Sequence, residues 1–534
     1  MKEFDVVVVG GGHNGLVAAA YLARAGLRVR VLERLGHVGG AAVSIQAFDG
    51  VEVRLSRYSY LVSLLPPQII KDLGAPVRLA RRQFSSYTPQ PDTHGRSGLL
   101  IGTAGDDTFA AVGAAGDEPG FAAFYRRCRL VTERLWPTLL EPLRTRDQAR
   151  RTVVDCGDPE ALGAWHAMID EPIGRAITAA VHDDLVRGVI ATDALIGTFA
   201  GLDEPSLAQN ICFLYHLLGG GTGDWDVPIG GMGSVTAGLA AAATGYGAEI
   251  VTGAEAVAVT PNGDVRYRAG DDEHLIRGRF VLAGVTPAVL AKLLGDTEPT
   301  LAPGAQVKVN MVLRRLPRLR DAGVTPEQAF AGTFHANETW TQLEAAHQRA
   351  AAGHLPDPLP CEAYCHSLSD PSILSPALRD SGFSYHDGVR SAHAALGVRK
   401  CRPRRAARPT HRSGAGLTEL GPGRADSGRA ADRRGWPAVH RDHDHRRPTA
   451  HAAHDRRQHL PWRAIVAIRR KRRHPGHPRP AMGGGHRPRP NHAVRLGRPA
   501  GRRGVGYWRA QRRYGGVGLP AARPLTDYRP SIAT

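Results

Sequence analysis

An α/β fold is predicted by three features that follow one another in the first 40 residues: an apolar β-branched run, a glycine-rich turn opening an alanine-rich segment, and a second apolar run ending in an acid. Residues 4–9 have the composition of a parallel strand covered on both faces. They pass straight into Gly10-Gly11-Gly12-His13-Asn14-Gly15, a G-x-G-x-x-G pattern with glycines at 10, 12 and 15. Residues 16–25 are rich in alanine and predict a helix, which Gly26 ends. Residues 27–32 predict the next strand, closed by Glu33.

Each part has a physical task in holding a dinucleotide. Gly10 permits a tight turn, Gly12 lets backbone approach a pyrophosphate, and Gly15 lets helix and strand pack closely. The phosphates sit at the positive end of the helix. Glu33, 18 residues after Gly15, is spaced to accept ribose hydroxyls. An acid there argues against a 2′-phosphate. The doublet Gly39-Gly40, followed by Ala41, begins six residues after Glu33 and offers a second close approach to a diphosphate. A doublet in that place is typical of FAD folds and not of simple NAD dehydrogenases. The alternative for the doublet is a flexible loop.

The remaining composition bounds the function. A chain of 534 residues has room for two or more domains. No stretch nears 18 consecutive apolar residues, so no transmembrane helix is expected, while peripheral membrane contact stays open. The four-valine run at 6–9 is too short for a signal-peptide core. None of the six cysteines forms a C-x-x-C pair, so disulfide redox chemistry is not expected and a reducing cytoplasm is. Cys361, Cys365 and His366 have loosely metal-like spacing without a second half, so no metal is expected. No G-x-S-x-G elbow is present. His13 is expected to pack or touch cofactor rather than act as acid or base.

Asp5-Val6-Val7-Val8-Val9-Gly10-Gly11-Gly12-His13-Asn14-Gly15-Leu16, with Leu32-Glu33-Arg34 and Val38-Gly39-Gly40-Ala41, resembles the phytoene desaturase-like FAD oxidoreductases. Three further motifs resemble, within them, the branch of pyridine nucleotide-disulfide oxidoreductase domain-containing protein 2. These are Ser59-Tyr60-Leu61-Val62-Ser63-Leu64-Leu65, Asp224-Trp225-Asp226-Val227-Pro228-Ile229-Gly230-Gly231-Met232-Gly233, and Ser367-Leu368-Ser369-Asp370-Pro371-Ser372-Ile373-Leu374. The resemblance covers about 1–383. It implies FAD as cofactor, with Gly10, Gly11, Gly12, His13, Asn14, Gly15, Glu33, Arg34, Gly39, Gly40 and Ala41 around it and the backbone of Val257 on the adenine. It also implies hydride transfer to flavin N5 from an apolar or small organic substrate, desaturation being the family-level expectation, and reoxidation by an electron acceptor. No catalytic acid or base is assigned.

Along the middle of the chain, residues 234–244 predict a helix, and 248–251 and Ala254–Val259 predict strands. Residues 279–287 resemble the strand and turn that close the cofactor domain. Residues 64–220 read as helix-rich, with Leu185, Val186, Val189 and Ile190 at helical spacing, and Val307–Leu313 alternates in part like a half-buried strand. Phe213, Tyr215 and Trp225 are pocket candidates, although core packing is the commoner fate of such aromatics.

The last 151 residues differ in kind. Residues 384–534 hold 35 Lys+Arg against 8 Asp+Glu, or +27, whereas 1–383 hold 34 against 42, or −8. Leu, Ile, Val and Phe make up 17 of the 151 and Phe is absent, too little for a core. The segment has no aromatic interleaving or binding motif, so no specific nucleic-acid role is expected from its charge. A reading-frame error accounts for the composition. Shifted by one nucleotide, codons for 384–394 permit His-Thr-Met-Thr-Val-Phe-Gly-Leu-His-Thr-Pro. Those for 457–468 permit Gly-Asn-Ile-Phe-His-Gly-Ala-Leu-Ser-Trp-Pro-Phe, and those for 507–513 permit Ile-Gly-Gly-(Arg or His)-Asn-Ala-Ala, which resembles the family's closing flavin motif.

The full expectation is therefore a discontinuous Rossmann-type FAD-binding domain (1–75 and 223–300), an α+β substrate domain (76–222 and 301–383), and a disordered basic C-terminal tail (384–534) that is out of frame. The function is that of an FAD-dependent oxidoreductase. The alternative is an inactive remnant that holds flavin weakly or not at all.

Overall fold

In a computed structural model, the chain is described at residues 2–103, 105, 107–299, 306–390 and 466–469. These all belong to one compact unit; a second, 398–456, lies outside the described residues.

The organising element is a seven-stranded sheet. The strand Lys2–Val9 lies at its centre, parallel to Val29–Leu32 on one side and to Asp272–Ala283 on the other. Glu249–Val251 extends the parallel set beyond Val29–Leu32. Beyond Asp272–Ala283 the strands Asp264–Ala269 and Ala254–Val259 run antiparallel, as a meander. Val466–Arg469 pairs antiparallel with the end of the same long strand, at Phe280–Ala283.

The valine run is buried on both faces because the two-residue period of a strand sends alternate side chains to two separate cores. Val6 and Val8 face the helices His13–Arg24 and Met232–Gly245, against Leu16, Ala19, Ala20, Leu239 and Ala243. Val7 and Val9 face Val259, Val265, Ile276 and Leu293, under the meander and the helix Pro287–Leu294. Burying each of Leu16 and Leu239 contributes about 1.5–3 kcal/mol. The small alanines let the first helix lie close to the sheet.

A second sheet has six strands in the order Val307–Leu313, Ser384–Arg390, Cys361–Tyr364, Thr333–Ala336, Phe84–Pro89, Gly98–Gly102. All its pairs are antiparallel except Thr333–Ala336 with Phe84–Pro89. A helical layer built from Glu118–Leu135, Ile173–Ala180, Asp184–Leu195 and Ala208–Leu218 shares one core around Val131, Ile177, Val186, Ile190 and Phe213.

Two differences from the sequence reading are clear. Within the stretch read as helix-rich, Phe84–Pro89 and Gly98–Gly102 form a hairpin, because the apolar run Leu99-Leu100-Ile101 is too short for a helix and is buried from both sides. The boundary set at Ser384 also falls inside ordered chain. Ser384–Arg390 is an interior strand, held by backbone pairing to both neighbours, and Val466–Arg469 is a strand as well, so a disordered tail is corrected at these residues. The rest of the expected tail lies outside the described residues.

The glycine turn shows which of its glycines the fold itself requires. A Cβ on Gly15 would lie 2.2 Å from the Gly10 carbonyl oxygen, and one on Gly10, whose φ is +100°, would lie 2.6 Å from the Gly284 carbonyl oxygen. Neither backbone atom can swing aside. Gly15→Ala is therefore expected to cost about 1–3 kcal/mol, measured as a lower denaturant midpoint, and Gly10→Ala at least as much. An unchanged midpoint for Gly15→Ala would contradict this packing.

Candidate functional site

The site grows out of the turn between the first strand and first helix. Gly12 precedes the helix as its cap residue, and no side chain caps it. The positive helix end is thus left to whatever lies in front of it. Gly39 donates its N–H to the Gly11 carbonyl at 2.8 Å, which brings the doublet onto the turn. Gly39 and Gly40 both have positive φ, +123° and +59°, and a Cβ on Gly40 would meet the Gly12 Cα at 3.1 Å. Two glycine backbones therefore lie almost in contact. On Gly12 the situation is reversed: a Cβ there would meet nothing closer than the Gly40 Cα at 3.9 Å. Gly12 is a glycine that the fold does not demand.

Glu33 is buried beneath the turn. Its carboxylate accepts the N–H of Gly11 at 2.8 Å and that of Leu35 at 2.9 Å, so the acid is oriented by backbone. Ala254 donates its N–H to the Glu33 carbonyl at 2.8 Å and starts the strand that carries Val257. The pairing of that strand skips a residue between Ala256 and Ala258, so Val257 sits in a bulge with its backbone out of the ladder. His13, Asn14 and Ala41 face a large cavity, whereas Arg34 is exposed beside Glu33. The residues predicted for a dinucleotide are thus gathered around one turn.

The cavity has a volume of about 620 Å³. It runs from His13, Asn14, Ala42 and Met232 along the stretch Ser59–Leu65 to a polar end. Trp225 and Tyr215 line it, while Phe213 is fully buried in the helical core against Phe124. Outside the lining, the second and third family-like motifs are joined directly, Asp370 accepting the Gly230 N–H at 2.6 Å, and the third is tied to Arg54, whose N–H the Ile373 carbonyl accepts at 2.8 Å.

The polar end was not legible as a site. Thr333 and His335 alternate inward on one strand, and Glu362 and Tyr364 do so on its neighbour, with His335 directly opposite Glu362. Polar residues at the buried parity of two short strands were the signal. Burial, helped by the nearby Arg82 charge, pushes the His335 imidazole down to about 3, so it is neutral at physiological pH. Burial pushes Glu362 up to about 8, against the Tyr364 hydroxyl that donates to it and against Arg82. Burial and the neighbouring Glu362 also raise Glu338. Arg82 donates from Nε to the Trp225 carbonyl at 3.0 Å and from Nη1 to the Thr333 hydroxyl at 3.2 Å.

The fold and the turn define a Rossmann dinucleotide-binding protein, and the comparisons agree. The family of NAD(P)-binding Rossmann-like domains matches residues 8–67. An uncharacterized protein of Mycobacterium tuberculosis is 72% identical over 404 residues, 74% of this chain and 76% of its own. Pyridine nucleotide-disulfide oxidoreductase domain-containing protein 2 of Rattus norvegicus is 30% identical over 433 residues, 71% of this chain and 72% of its own. Phytoene dehydrogenase of Streptomyces griseus is 28% identical over 348 residues, covering 62% and 64%. The chain belongs to the family of pyridine nucleotide-disulfide oxidoreductase domain-containing protein 2, among the phytoene desaturase-like FAD-dependent oxidoreductases.

The family name should not suggest thiol chemistry at this cavity. Cys212 lines it, but burial pushes its thiol up to about 12 and its S–H donates to the Ile196 carbonyl. Burial likewise pushes Cys128 up to about 12 and Cys365 up to about 11. Cys156 is exposed. In the folded chain at mildly alkaline pH, an alkylating reagent should modify Cys156 and spare Cys128, Cys212 and Cys365 until denaturant is added. Peptide mass spectrometry reads this directly; labelling of Cys212 as fast as Cys156 would remove the argument. Among the described residues no helix is long and apolar enough to cross a membrane.

Proposed function

We propose that the turn holds FAD and that the family reaction is a flavin-linked two-electron oxidation of an apolar or small organic substrate in the cavity. The observation that carries this reading is the open approach over Gly12, at an uncapped helix start facing the cavity. A cradle of that kind fits a pyrophosphate, which needs backbone amides and no Cβ in the way. Glu33, already oriented by Gly11 and Leu35, has lone pairs left for ribose hydroxyls. The unpaired backbone at Val257 suits an adenine edge. Bound FAD would supply, at N5, an acceptor for a hydride leaving the substrate. The chain's own share is to orient and to exclude water. The side chains of Val62, Leu65, Ile69, Val235 and Leu239 give the cavity apolar walls, which suit a substrate of low polarity.

We infer further that residues 384–534 are an out-of-frame read of the family's closing segment. Their composition supports this, as does the share of this chain that the Mycobacterium and Rattus relatives match. That share, 74% and 71%, is close to the 72% that residues 1–383 make of the 534. Contacts to the isoalloxazine end would then be missing, and flavin retention weakened.

Two measurements test these readings. Gly12→Ala should leave thermal stability within about 0.5 kcal/mol of wild type while lowering FAD affinity at least tenfold, read from flavin fluorescence during titration. Undiminished affinity would remove the cradle from the argument. Second, the chain as written should purify with little yellow absorbance, and the chain with its frame restored should carry stoichiometric FAD. Equal flavin content in the two would refute the defect.

A further inference from the structure

We propose that His335, Glu338 and Glu362 form a binding site for a divalent first-row metal ion at the polar end of the cavity. The proposal stands apart from the flavin reading. Each of the three offers one ligand atom, these atoms lie within 4.8 Å of one another, and all three residues are buried. Glu338 is 2% exposed, and its Oε2 meets no hydrogen-bond donor. A buried carboxylate oxygen without a donor is costly unless something positive faces it.

The surroundings are those of a ligand set. Nδ1 of His335 pairs with the Thr88 hydroxyl at 2.8 Å, which fixes the ring and leaves Nε2 for an ion. The Tyr364 hydroxyl donates to Oε2 of Glu362 and orients that carboxylate. Hydrogen bonds of this kind, on the far side of the ligands, are how proteins aim imidazoles and carboxylates at a metal. Glu338 itself is placed by close packing: a Cβ on Gly188 would lie 2.1 Å from the Glu338 carbonyl oxygen, so the helix Asp184–Leu195 presses directly on this segment.

The simplest rival is a pair of neutral carboxyls sharing a proton. Such a pair and a metal ion place different demands on Glu338, and the titration below separates them. Three donors bound at about 2.1 Å to one ion lie roughly 3–3.6 Å from one another, so the cluster closes on one with side-chain shifts of up to about 1 Å. One imidazole and two carboxylates suit manganese, iron or zinc in the divalent state. Because His335 and Glu362 line the cavity, the remaining coordination positions open onto it, where an oxygen donor of a bound molecule fits.

The test uses the full chain, stripped with chelator and dialysed. Titration with manganese(II), followed by the loss of the free-ion electron paramagnetic resonance signal, should show one ion per chain. His335→Ala and Glu338→Gln should each weaken it at least tenfold, and the exposed-site control Asp92→Asn should bind as wild type. Cobalt(II) provides a reading that needs no variant: its visible bands should intensify on binding, as expected for nitrogen and oxygen ligands in a site of low coordination number. Manganese should also raise the melting temperature of the wild type and not that of Glu338→Gln. Absence of stoichiometric manganese, an unaltered cobalt spectrum, or equal affinity in wild type and Glu338→Gln would each overturn the site. Greater stability of Glu338→Gln, together with no ion bound to the wild type, would establish the neutral carboxyl pair instead.

Discussion

Backbone meeting backbone at the first turn is the constraint on which the rest of the molecule depends. Gly10 lies against Gly284 and Gly15 against Gly10, each at a distance that leaves no space for a side chain on the first-named residue, and Gly40 lies against Gly12 with little more room. Two of these contacts join parts of the chain that are apart in sequence: the opening turn, the doublet after Glu33, and the end of the long strand at Ala283. The central sheet draws on separate stretches of the chain for this reason. The turn is complete only when the chain has left, built other layers, and returned. The parallel pairing of Lys2–Val9 with Asp272–Ala283 is the mechanical expression of that return.

The intervening layers are placed by the same closure. The helix Met232–Gly245 packs beside His13–Arg24, and Met232, at its start, faces the cavity along with Asn14. The cavity is therefore walled at one end by the nucleotide turn and at the other by the inward face of the second sheet. Its apolar middle and polar end have different origins. The middle comes from the motif Ser59–Leu65 and from helix faces. The polar end comes from strand parity, which turns Thr333, His335, Glu362 and Tyr364 the same way.

That contrast explains how much could be read from the sequence. The turn was legible because strand, glycines, helix and acid are contiguous, and each local preference agrees with the final fold. The strands Ala254–Val259 and Val307–Leu313 were legible from alternation or β-branching alone. Cys361, Cys365 and His366 drew attention by spacing, but His335, Glu338 and Glu362 make the cluster instead. His335 and Glu362 lie on two strands with a helix and a loop between them, and Glu338 in the turn just after the first strand, so the pairing of His335 with Glu362 is what brings the first strand to the second. The strand Ser384–Arg390 was missed because Val389 is its only β-branched residue, among polar residues and a glycine. A strand between two others is held by main-chain hydrogen bonds, which do not depend on composition.

Glu33 serves two masters. One carboxylate oxygen fastens the Gly11 amide and the other the Leu35 amide, so the acid that would choose a sugar also sets the shape of the loop around it. An attempt to re-engineer the preference from an unphosphorylated to a phosphorylated ribose by exchanging this single acid would therefore loosen the scaffold as it altered the recognition. A successful switch would need replacement anchors for both amides first.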